Sequence, residues 1–316
     1  MPSRTVWAHA VVIREAGPSR IAVDYREQSR YHSSQFQINS HFLLSKEVFK
    51  RPMSMRILLL TLSAWQISIA QPMIEERREF GDYFKKYNVH GSFLLYDLKQ
   101  DRYIAFDSAR CKEQFLPAST FKIFNSLVAL ETGIAPDEHL ILKWDSVQRR
   151  NPEWNKDQDM AAAIKNSTVW YYQEIARRIG GKRMKEWITR EHYGNMNISG
   201  GIDQFWLKGG LRISQEEQIV FLRKLYADNL DFSHRAMDIV RHIIILKDTT
   251  AYTLRGKTGW GDLEGKNFGW FVGYLERKDN VYFFATNIEA PEPPPDLFGT
   301  ARRRITEDIL RSLGLL

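Results

Sequence analysis

The stretch "FLPASTFKIFNSLVALETG", residues 115–133, predicts the element on which the rest of the fold depends. Apolar residues recur at helical spacing over 119–131, and Gly133 is a plausible stop. Ser119 and Lys122 would then share one face of a helix, within hydrogen-bonding reach. In apolar surroundings a lysine loses solvation of its charged form, so its pKa falls and its amine can activate a serine nucleophile. The alternative is a helix-capping serine and a lysine whose chain extends to the surface.

Strands are predicted toward both ends of the chain, with helices between them. Residues 73–87 have the period of an amphipathic helix, and residues 88–106 alternate and turn like a β-hairpin. Helical spacing recurs at 161–179, 182–191, 214–227, 233–246 and 299–313. Strands are predicted in "AYTLRGKTGW" (251–260), "FGWFVGYLE" (268–276) and "NVYFFATNIE" (280–289). We therefore expect an α+β fold whose two ends form one central antiparallel sheet beside a helical subdomain.

The composition is that of a globular chain with a basic leader. Its 316 residues are 43% hydrophobic and 13% aromatic, enough to bury a sizeable core. Residues 1–70 hold nine Lys/Arg against four Asp/Glu, whereas residues 71–316 hold 36 against 34. The net charge of +7 therefore belongs mostly to the leader, and we expect no nucleic-acid partner. Cys111 is the single cysteine, which excludes an intramolecular disulfide.

Three segments are expected along the chain. Residues 53–70 predict a signal peptide, because "MSMR" precedes an apolar run that is too short to span a bilayer and ends in Ser-Ile-Ala. Cleavage is expected after Ala70, with a membrane anchor or a buried helix as the alternatives. Residues 1–52 precede a second plausible start, and we expect either an upstream-start artefact or a pre-segment. Residues 71–316 would be the catalytic domain, with no stable membrane anchor.

Two further short motifs could carry chemistry. Ser167-Thr168-Val169 follows the first serine at a distance, and Lys257-Thr258-Gly259-Trp260 comes at what reads as the end of a strand. A strand ending in Lys-Thr-Gly can place an ammonium, a hydroxyl and backbone N–H groups along one edge of a cleft. Such an edge suits an acyl substrate that bears a carboxylate. Either motif alone is a weak signal. The histidines of the mature chain show no metal-ligand spacing, so no metal is expected.

In order, Ser-x-x-Lys, Ser-x-Val, Tyr-Gly-Asn and Lys-Thr-Gly resemble the penicillin-recognising serine enzymes, most closely the class D, oxacillinase-type β-lactamases. The resemblance spans residues 75–313 and includes "YQEIARRIG" and "YGNMNISGGIDQFWLKGGLRIS". It implies a β-lactamase/transpeptidase-like fold and a periplasmic or secreted enzyme that hydrolyses small-molecule β-lactams. It implies no cofactor beyond carbon dioxide or bicarbonate, and a monomer or a homodimer.

The same resemblance assigns the catalytic residues by position. Ser119 matches the serine that is acylated. Lys122 matches the lysine that reacts with carbon dioxide to form N6-carboxylysine, the general base of acylation and deacylation. Ser167 matches the hydroxyl that relays protons to the leaving nitrogen. Trp206 matches the indole that holds the carbamate. Val169 and Leu207 match the apolar walls that limit water around the modified lysine.

Substrate-binding residues are assigned in the same way. Lys257 and Thr258 match the side of the cleft that binds the substrate carboxylate, and the backbone N–H of Trp260 would complete an oxyanion hole with that of the nucleophilic serine. Arg302 best matches a second carboxylate binder, although Arg303 and Arg304 leave the register open. Trp154 matches an aromatic residue at the rim, where stacking and packing are equally plausible.

Two rival functions share this resemblance. A penicillin-sensing domain would be acylated and stay acylated, and a peptidoglycan transpeptidase or carboxypeptidase would act on peptides. The sequence does not identify which β-lactams are hydrolysed, because small shifts in the loops of a cleft decide that selection.

Overall fold

The computed structural model describes residues 73–291 and 294–316, so the predicted pre-segment and signal peptide lie outside the described residues. The strands are β1 Met73–Glu76, β2 His90–Asp97, β3 Arg102–Phe106, β4 Ile245–Asp248, β5 Tyr252–Leu263, β6 Lys266–Arg277 and β7 Asn280–Pro291. The helices are α1 Gly81–Lys85, α2 Lys122–Glu131, α3 Met160–Lys165, α4 Val169–Ile179, α5 Gly181–Arg190, α6 Gln215–Tyr226, α7 His234–Ile243 and α8 Phe298–Ser312.

One seven-stranded sheet joins the two ends of the described chain. Its order is β1-β3-β2-β7-β6-β5-β4. The pairing of β2 with β7 runs from His90↔Glu289 to Asp97↔Tyr282 and connects the N-terminal hairpin to the three C-terminal strands. Every neighbouring pair is antiparallel except β1 with β3, which is parallel. The expected α+β fold is confirmed, with one parallel strand at the edge of the predicted antiparallel sheet.

The sheet carries a different layer on each face. Helix α8 packs on one face over Phe271, Phe284 and Ile288, which are fully buried. The helical subdomain packs on the other face, and α2 lies in its centre. Every residue of α2 from Lys122 to Leu130 is buried, and only its last residue, Glu131, is partly exposed. In the described part of the chain, no helix is long and apolar enough to cross a membrane.

Three of the predicted elements were wrong in part. Residues 73–76 form β1 rather than the start of a helix, because they pair with β3 at the sheet edge. The helix predicted over 161–179 is broken, because Ser167 takes a left-handed φ of 57° between α3 and α4. The helix predicted to reach residue 246 ends at Ile243, and the chain then pairs with β5 as β4. The hairpin, the helices of the other predicted segments and the three C-terminal strands are confirmed.

Candidate active site

Ser119 lies in a tight turn that leads directly into α2. The turn, Ala118–Phe121, is a 3-10 helix, and Ala118 has a φ of 47°, which is uncommon for a residue with a Cβ. The backbone N–H of Ala118 donates to the carbonyl of Trp206 at 3.0 Å. The Thr120 hydroxyl donates to the carbonyl of Pro117 at 2.8 Å. These contacts hold the strained turn, and with it the position of the serine oxygen.

Lys122 points back along the helix to this serine. Its Nζ donates to Ser119 Oγ at 2.7 Å, and the side chain is completely buried. Burial lowers the pKa of Lys122 well below its usual range, and the nearby charge of Lys257 lowers it further. The alternative interpretation, in which the lysine side chain reaches the surface, is therefore wrong. What the structure places beside the serine is an amine that favours its neutral form.

A second serine and a second lysine lie beside the first pair. The Nζ of Lys257 donates to Ser167 Oγ at 3.0 Å and to the Thr258 carbonyl at 3.0 Å. Burial lowers the pKa of Lys257 to about 7, and the charge of Arg302 acts in the same direction. Because Ser167 stands in the break between α3 and α4 with a left-handed backbone, its hydroxyl faces β5 instead of following the helical surface. The Ser-x-Val motif is thus a feature of a turn.

Trp206 supplies an unused hydrogen-bond donor in this interior. Its side chain is fully buried, its ring stacks on Phe121 with centroids 5.3 Å apart, and its Nε1 has no hydrogen-bond partner among the described residues. An unsatisfied buried donor costs about 1–3 kcal/mol, so a free N–H in a well-packed interior marks a place for an acceptor.

The remaining walls of this pocket were only partly predicted. Val169 lines the cleft, and Leu207 is partly buried against the core of the helical subdomain. The ring of Tyr172 lies 5.4 Å from the Nζ of Lys122, and it is completely buried. Sequence reasoning did not find Tyr172, although its position on the buried face of the predicted helix was a possible signal.

The strand β5 extends past its neighbour β4 and forms one edge of the cleft. It pairs with β4 only from Thr253 to Arg255, and further along the strand Gly259 lies against the turn that carries Ser119. A Cβ added at Gly259 would lie 3.0 Å from the Pro117 carbonyl oxygen and 3.4 Å from the backbone nitrogen of Ser119. Glycine therefore allows the two backbones to approach, which is the arrangement an oxyanion hole requires.

The cleft between β5 and the facing loops has a volume of about 760 Å³. Predicted residues that line it are Ser119, Ser167, Val169, Thr258, Trp260, Arg302 and Trp154, together with Gly259 of the Lys-Thr-Gly motif. Residues that the sequence did not point to are Arg150, Asn151, Asn166, Gly261, Asp262 and Asn267. Trp154 is half-buried at the rim. Its Nε1 donates to the Asn166 carbonyl at 2.9 Å, and its own carbonyl accepts from Trp170 Nε1 at 2.8 Å. Two indoles therefore fasten this part of the rim.

Burial separates the three consecutive arginines of α8. Arg302 is 8% exposed and lines the cleft, and burial lowers its pKa to about 10. Arg303 is exposed and donates to Glu307 at 2.8 Å, and Arg304 is exposed as well. Of the three, Arg302 is the one that lines this cleft, and its charge acts on the buried Lys257.

Comparison with known proteins gives a family for this architecture. The sequence profile described as "Penicillin binding protein transpeptidase domain" matches residues 86–311. The chain is 41% identical over 235 residues to "Probable beta-lactamase YbxI" of Bacillus subtilis (strain 168), across 74% of this chain and 84% of that protein. The solved structure of the class D β-lactamase YbXI from Nostoc is 46% identical, with a TM-score of 0.73 over 76% of this chain and 100% of that chain.

A regulatory protein is also similar. The chain is 34% identical over 241 residues to "Regulatory protein BlaR1" of Bacillus licheniformis, across 76% of this chain but only 39% of that protein. The fold and the profile place the chain in the penicillin-binding transpeptidase family. Within that family it belongs to the class D β-lactamases, serine enzymes that hydrolyse β-lactams, and the resemblance inferred from its motifs is confirmed.

Proposed function

We propose that this chain hydrolyses β-lactams through an acyl-enzyme on Ser119, with Lys122 as the site of the general base. The observation that carries the proposal is the 2.7 Å contact between Lys122 Nζ and Ser119 Oγ in a position where the lysine is completely buried. A serine hydroxyl needs a base within hydrogen-bonding reach to become a nucleophile. An amine that is kept neutral by burial can accept that proton or can be modified into a stronger acceptor.

Modification by carbon dioxide fits the residues around this amine. Carbamylation requires a neutral lysine, and burial favours that form of Lys122. The free indole N–H of Trp206 is a suitable donor to hold an added carboxylate group. When present, the carbamate supplies a carboxylate base that serves both acylation and deacylation. The residues that would hold it are Lys122 and Trp206, with Val169 and Leu207 limiting water.

Acylation follows from the placement of the other groups. Ser119 Oγ gives its proton to the base at Lys122 and bonds to the lactam carbonyl carbon, and the negative charge on the carbonyl oxygen would lie between the backbone N–H groups of Ser119 and Trp260. The C–N bond of the ring then breaks, and the nitrogen takes a proton through the Ser167 hydroxyl, which Lys257 holds at 3.0 Å. Water then gives a proton to the same base and bonds to the acyl carbon, the bond from that carbon to Ser119 Oγ breaks, and the proton passes to Ser119 Oγ to regenerate the enzyme.

Substrate binding would depend on the positive side of the cleft. Thr258 and Arg302 line the cleft, and Lys257 is near enough for the charge of Arg302 to act on it. A carboxylate on the substrate would be bound by the hydroxyl of Thr258 and by these two basic side chains. Both cations are largely buried, so their attraction is screened less than that of a surface pair. Trp154 is placed at the rim, where it can pack on a substituent of the substrate.

Turnover of a chromogenic cephalosporin tests the proposal. We expect many product molecules per enzyme, an acyl adduct on Ser119 detectable by mass spectrometry after acid quenching, and no turnover in Ser119→Ala. Added bicarbonate should raise activity if the lysine is incompletely carbamylated. A single stoichiometric burst would instead indicate a penicillin-sensing domain or a transpeptidase.

We also infer export of the chain, with cleavage after Ala70 and a periplasmic or secreted product. The support is the signal-like segment 53–70 and the family to which the chain belongs. N-terminal sequencing of the exported protein should begin at Gln71, and a mature protein beginning at Met1 would contradict the inference. Size-exclusion chromatography with light scattering should give a monomer or a homodimer.

A further inference from the structure

Trp260 is a large exposed aromatic residue that is nevertheless fixed in place. Its side chain is 47% exposed in the cleft, and its Nε1 donates to Asn267 Oδ1 at 2.9 Å. Asn267 itself is 4% exposed. On its other side the ring lies 5.5 Å from the ring of Phe298, and a Cβ at Gly299 would come within 3.1 Å of it. The indole therefore fits between β6 and the start of α8.

The fixed indole lies next to the arginine of the cleft. The guanidinium carbon of Arg302 is 5.7 Å from the centroid of the Trp260 ring, within the range of a cation–π contact. The stem of Arg302 passes over Gly269, where an added Cβ would be 3.1 Å from its Cδ. Trp260 and Gly269 are partners across β5 and β6, so the ring and the stem lie side by side.

Arg302 has few other groups to orient it. Its Nε has no hydrogen-bond partner among the described residues, and its Nη1 reaches the Phe298 carbonyl only at 3.5 Å. By contrast, the neighbouring Arg303 is paired with Glu307 at 2.8 Å. The direction of the Arg302 guanidinium is thus set largely by the ring beside it, and the direction of that ring is set by its hydrogen bond to Asn267.

We propose that Asn267 is a positioning residue for the carboxylate of the substrate. It accepts the indole N–H of Trp260, the fixed ring holds Arg302 toward the Lys257 side of the cleft, and the arginine binds the carboxylate. Asn267 itself does not touch the reacting atoms. The inference rests on the proposed function, in which Arg302 is a carboxylate binder, and it adds a residue that none of the four sequence motifs contains.

The test compares a penicillin with its ester in variants of this pair. Asn267→Leu removes the acceptor, and Trp260→Phe removes the donor while keeping an aromatic ring and the other contacts of Asn267. Loss of one ordinary hydrogen bond corresponds to roughly a three- to tenfold change. We expect KM for benzylpenicillin to rise by about that factor in each variant with kcat changed less than about twofold. KM for benzylpenicillin methyl ester, which lacks the charged carboxylate, should change little.

The double variant sharpens the result. Because both substitutions break the same contact, the rise in KM for the double variant should be about that of one single variant and not the product of the two. Lys266→Ala, a change at the exposed neighbour of Asn267, is the control for the hairpin and should leave both KM values within about twofold. Melting curves show whether the variants are folded.

Three outcomes would overturn the inference. An equal rise in KM for the acid and the ester would show that Trp260 contributes packing and not orientation of Arg302. A rise in KM for the double variant equal to the product of the two single rises would show that Trp260 and Asn267 act independently. Unchanged KM values in all variants would show that Asn267 has no positioning role. Failure of the proposed function looks different, since the wild-type enzyme would then show no turnover or Ser119→Ala would keep it. If Asn267→Leu does not fold, Trp260→Phe alone decides through the contrast of acid and ester.

Discussion

The floor and the rim of the cleft are built in opposite ways. The floor, residues 115–122, is buried from residue 116 onward, strained at Ala118 and held by hydrogen bonds to other segments. The rim consists of residues 149–155 and the β5–β6 hairpin at 260–267, where most side chains are exposed or half-buried and several are charged. This difference indicates that exclusion of water sets the protonation state of the reactive groups in the floor. Substrate selection would depend on rim residues, which can be substituted without changing the packing of the floor.

The two buried lysines of the site also differ in their surroundings and in their pKa. Lys122 has no charge partner among the described residues and contacts a serine and a tyrosine ring, so burial holds its pKa far below the usual range. Lys257 contacts Ser167, which lines the cleft, and its pKa is lowered to about 7. One lysine is therefore suited to be a base, and the other can be charged or neutral near physiological pH.

The largest expected effect concerns the floor. Lys122→Ala should lower kcat by at least about a thousandfold, within the range that general base catalysis supplies, because neither step retains its base. Rapid mixing with a chromogenic cephalosporin should still show binding, and any acyl adduct that forms should persist. Lys165→Ala, a change at the exposed end of α3, is the control and should keep activity. Sustained turnover in Lys122→Ala would contradict the assignment of the base.

The next effect concerns the border with the rim. Arg302→Ala should raise KM for benzylpenicillin by roughly ten- to a hundredfold, as expected for the loss of a hydrogen bond to a charged group. Arg303→Ala and Arg304→Ala are matched controls and should change KM less than about twofold, because both side chains are exposed. Steady-state kinetics with the acid and its methyl ester would measure this. An equal effect at Arg303 would show that the wrong register has been assigned.

A smaller effect is expected from pH. Since the pKa of Lys257 in the free enzyme is about 7, its positive charge is lost as pH rises through that value. The ratio kcat/KM for a penicillin should then fall on the alkaline side, by up to about tenfold per pH unit. Lys257→Arg should move this limb to higher pH. A profile that stays flat up to pH 9 would mean that the charge of Lys257 does not attract the substrate.

The smallest effect is on stability. A lysine whose folded pKa is lowered binds fewer protons in the native than in the unfolded state between about pH 7 and 10, so it destabilises the fold increasingly as pH falls through that window. Lys257→Met removes this penalty. The melting temperature of the variant minus that of the wild type should therefore be a few degrees higher at pH 7 than at pH 9.5. Differential scanning fluorimetry would measure it, and the opposite sign would contradict burial of Lys257 as the cause of its pKa.

The floor could be predicted from the sequence much better than the rim. Ser119 and Lys122 are close along the chain, so helical spacing alone brings them together. The break at Ser167 could not be predicted from periodicity, because a left-handed φ at a serine depends on contacts with distant residues. The strand β4 was missed for a similar reason, since pairing with β5 overrides the helical period before it.

Two residues that were missed, Asn267 and Tyr172, belong to none of the sequence motifs. Asn267 matters through a contact with Trp260 across a hairpin, and the ring of Tyr172 reaches Lys122 from another helix. The three arginines of α8 illustrate the limit, because the resemblance gave a preference for Arg302 but left the register open. Burial in the folded chain separates it from its neighbours.

Carbon-13 NMR of the enzyme in labelled bicarbonate tests the central claim, that burial keeps Lys122 neutral enough to be carbamylated. The account predicts one carbamate resonance in the wild-type protein, its absence in Lys122→Ala, and a weaker resonance in Trp206→Phe, which keeps a ring but lacks the indole N–H. Lowering the pH should remove the signal, because protonation of the amine competes with carbamylation. No resonance in a fully active wild-type enzyme, or one that persists in Lys122→Ala, would contradict the account.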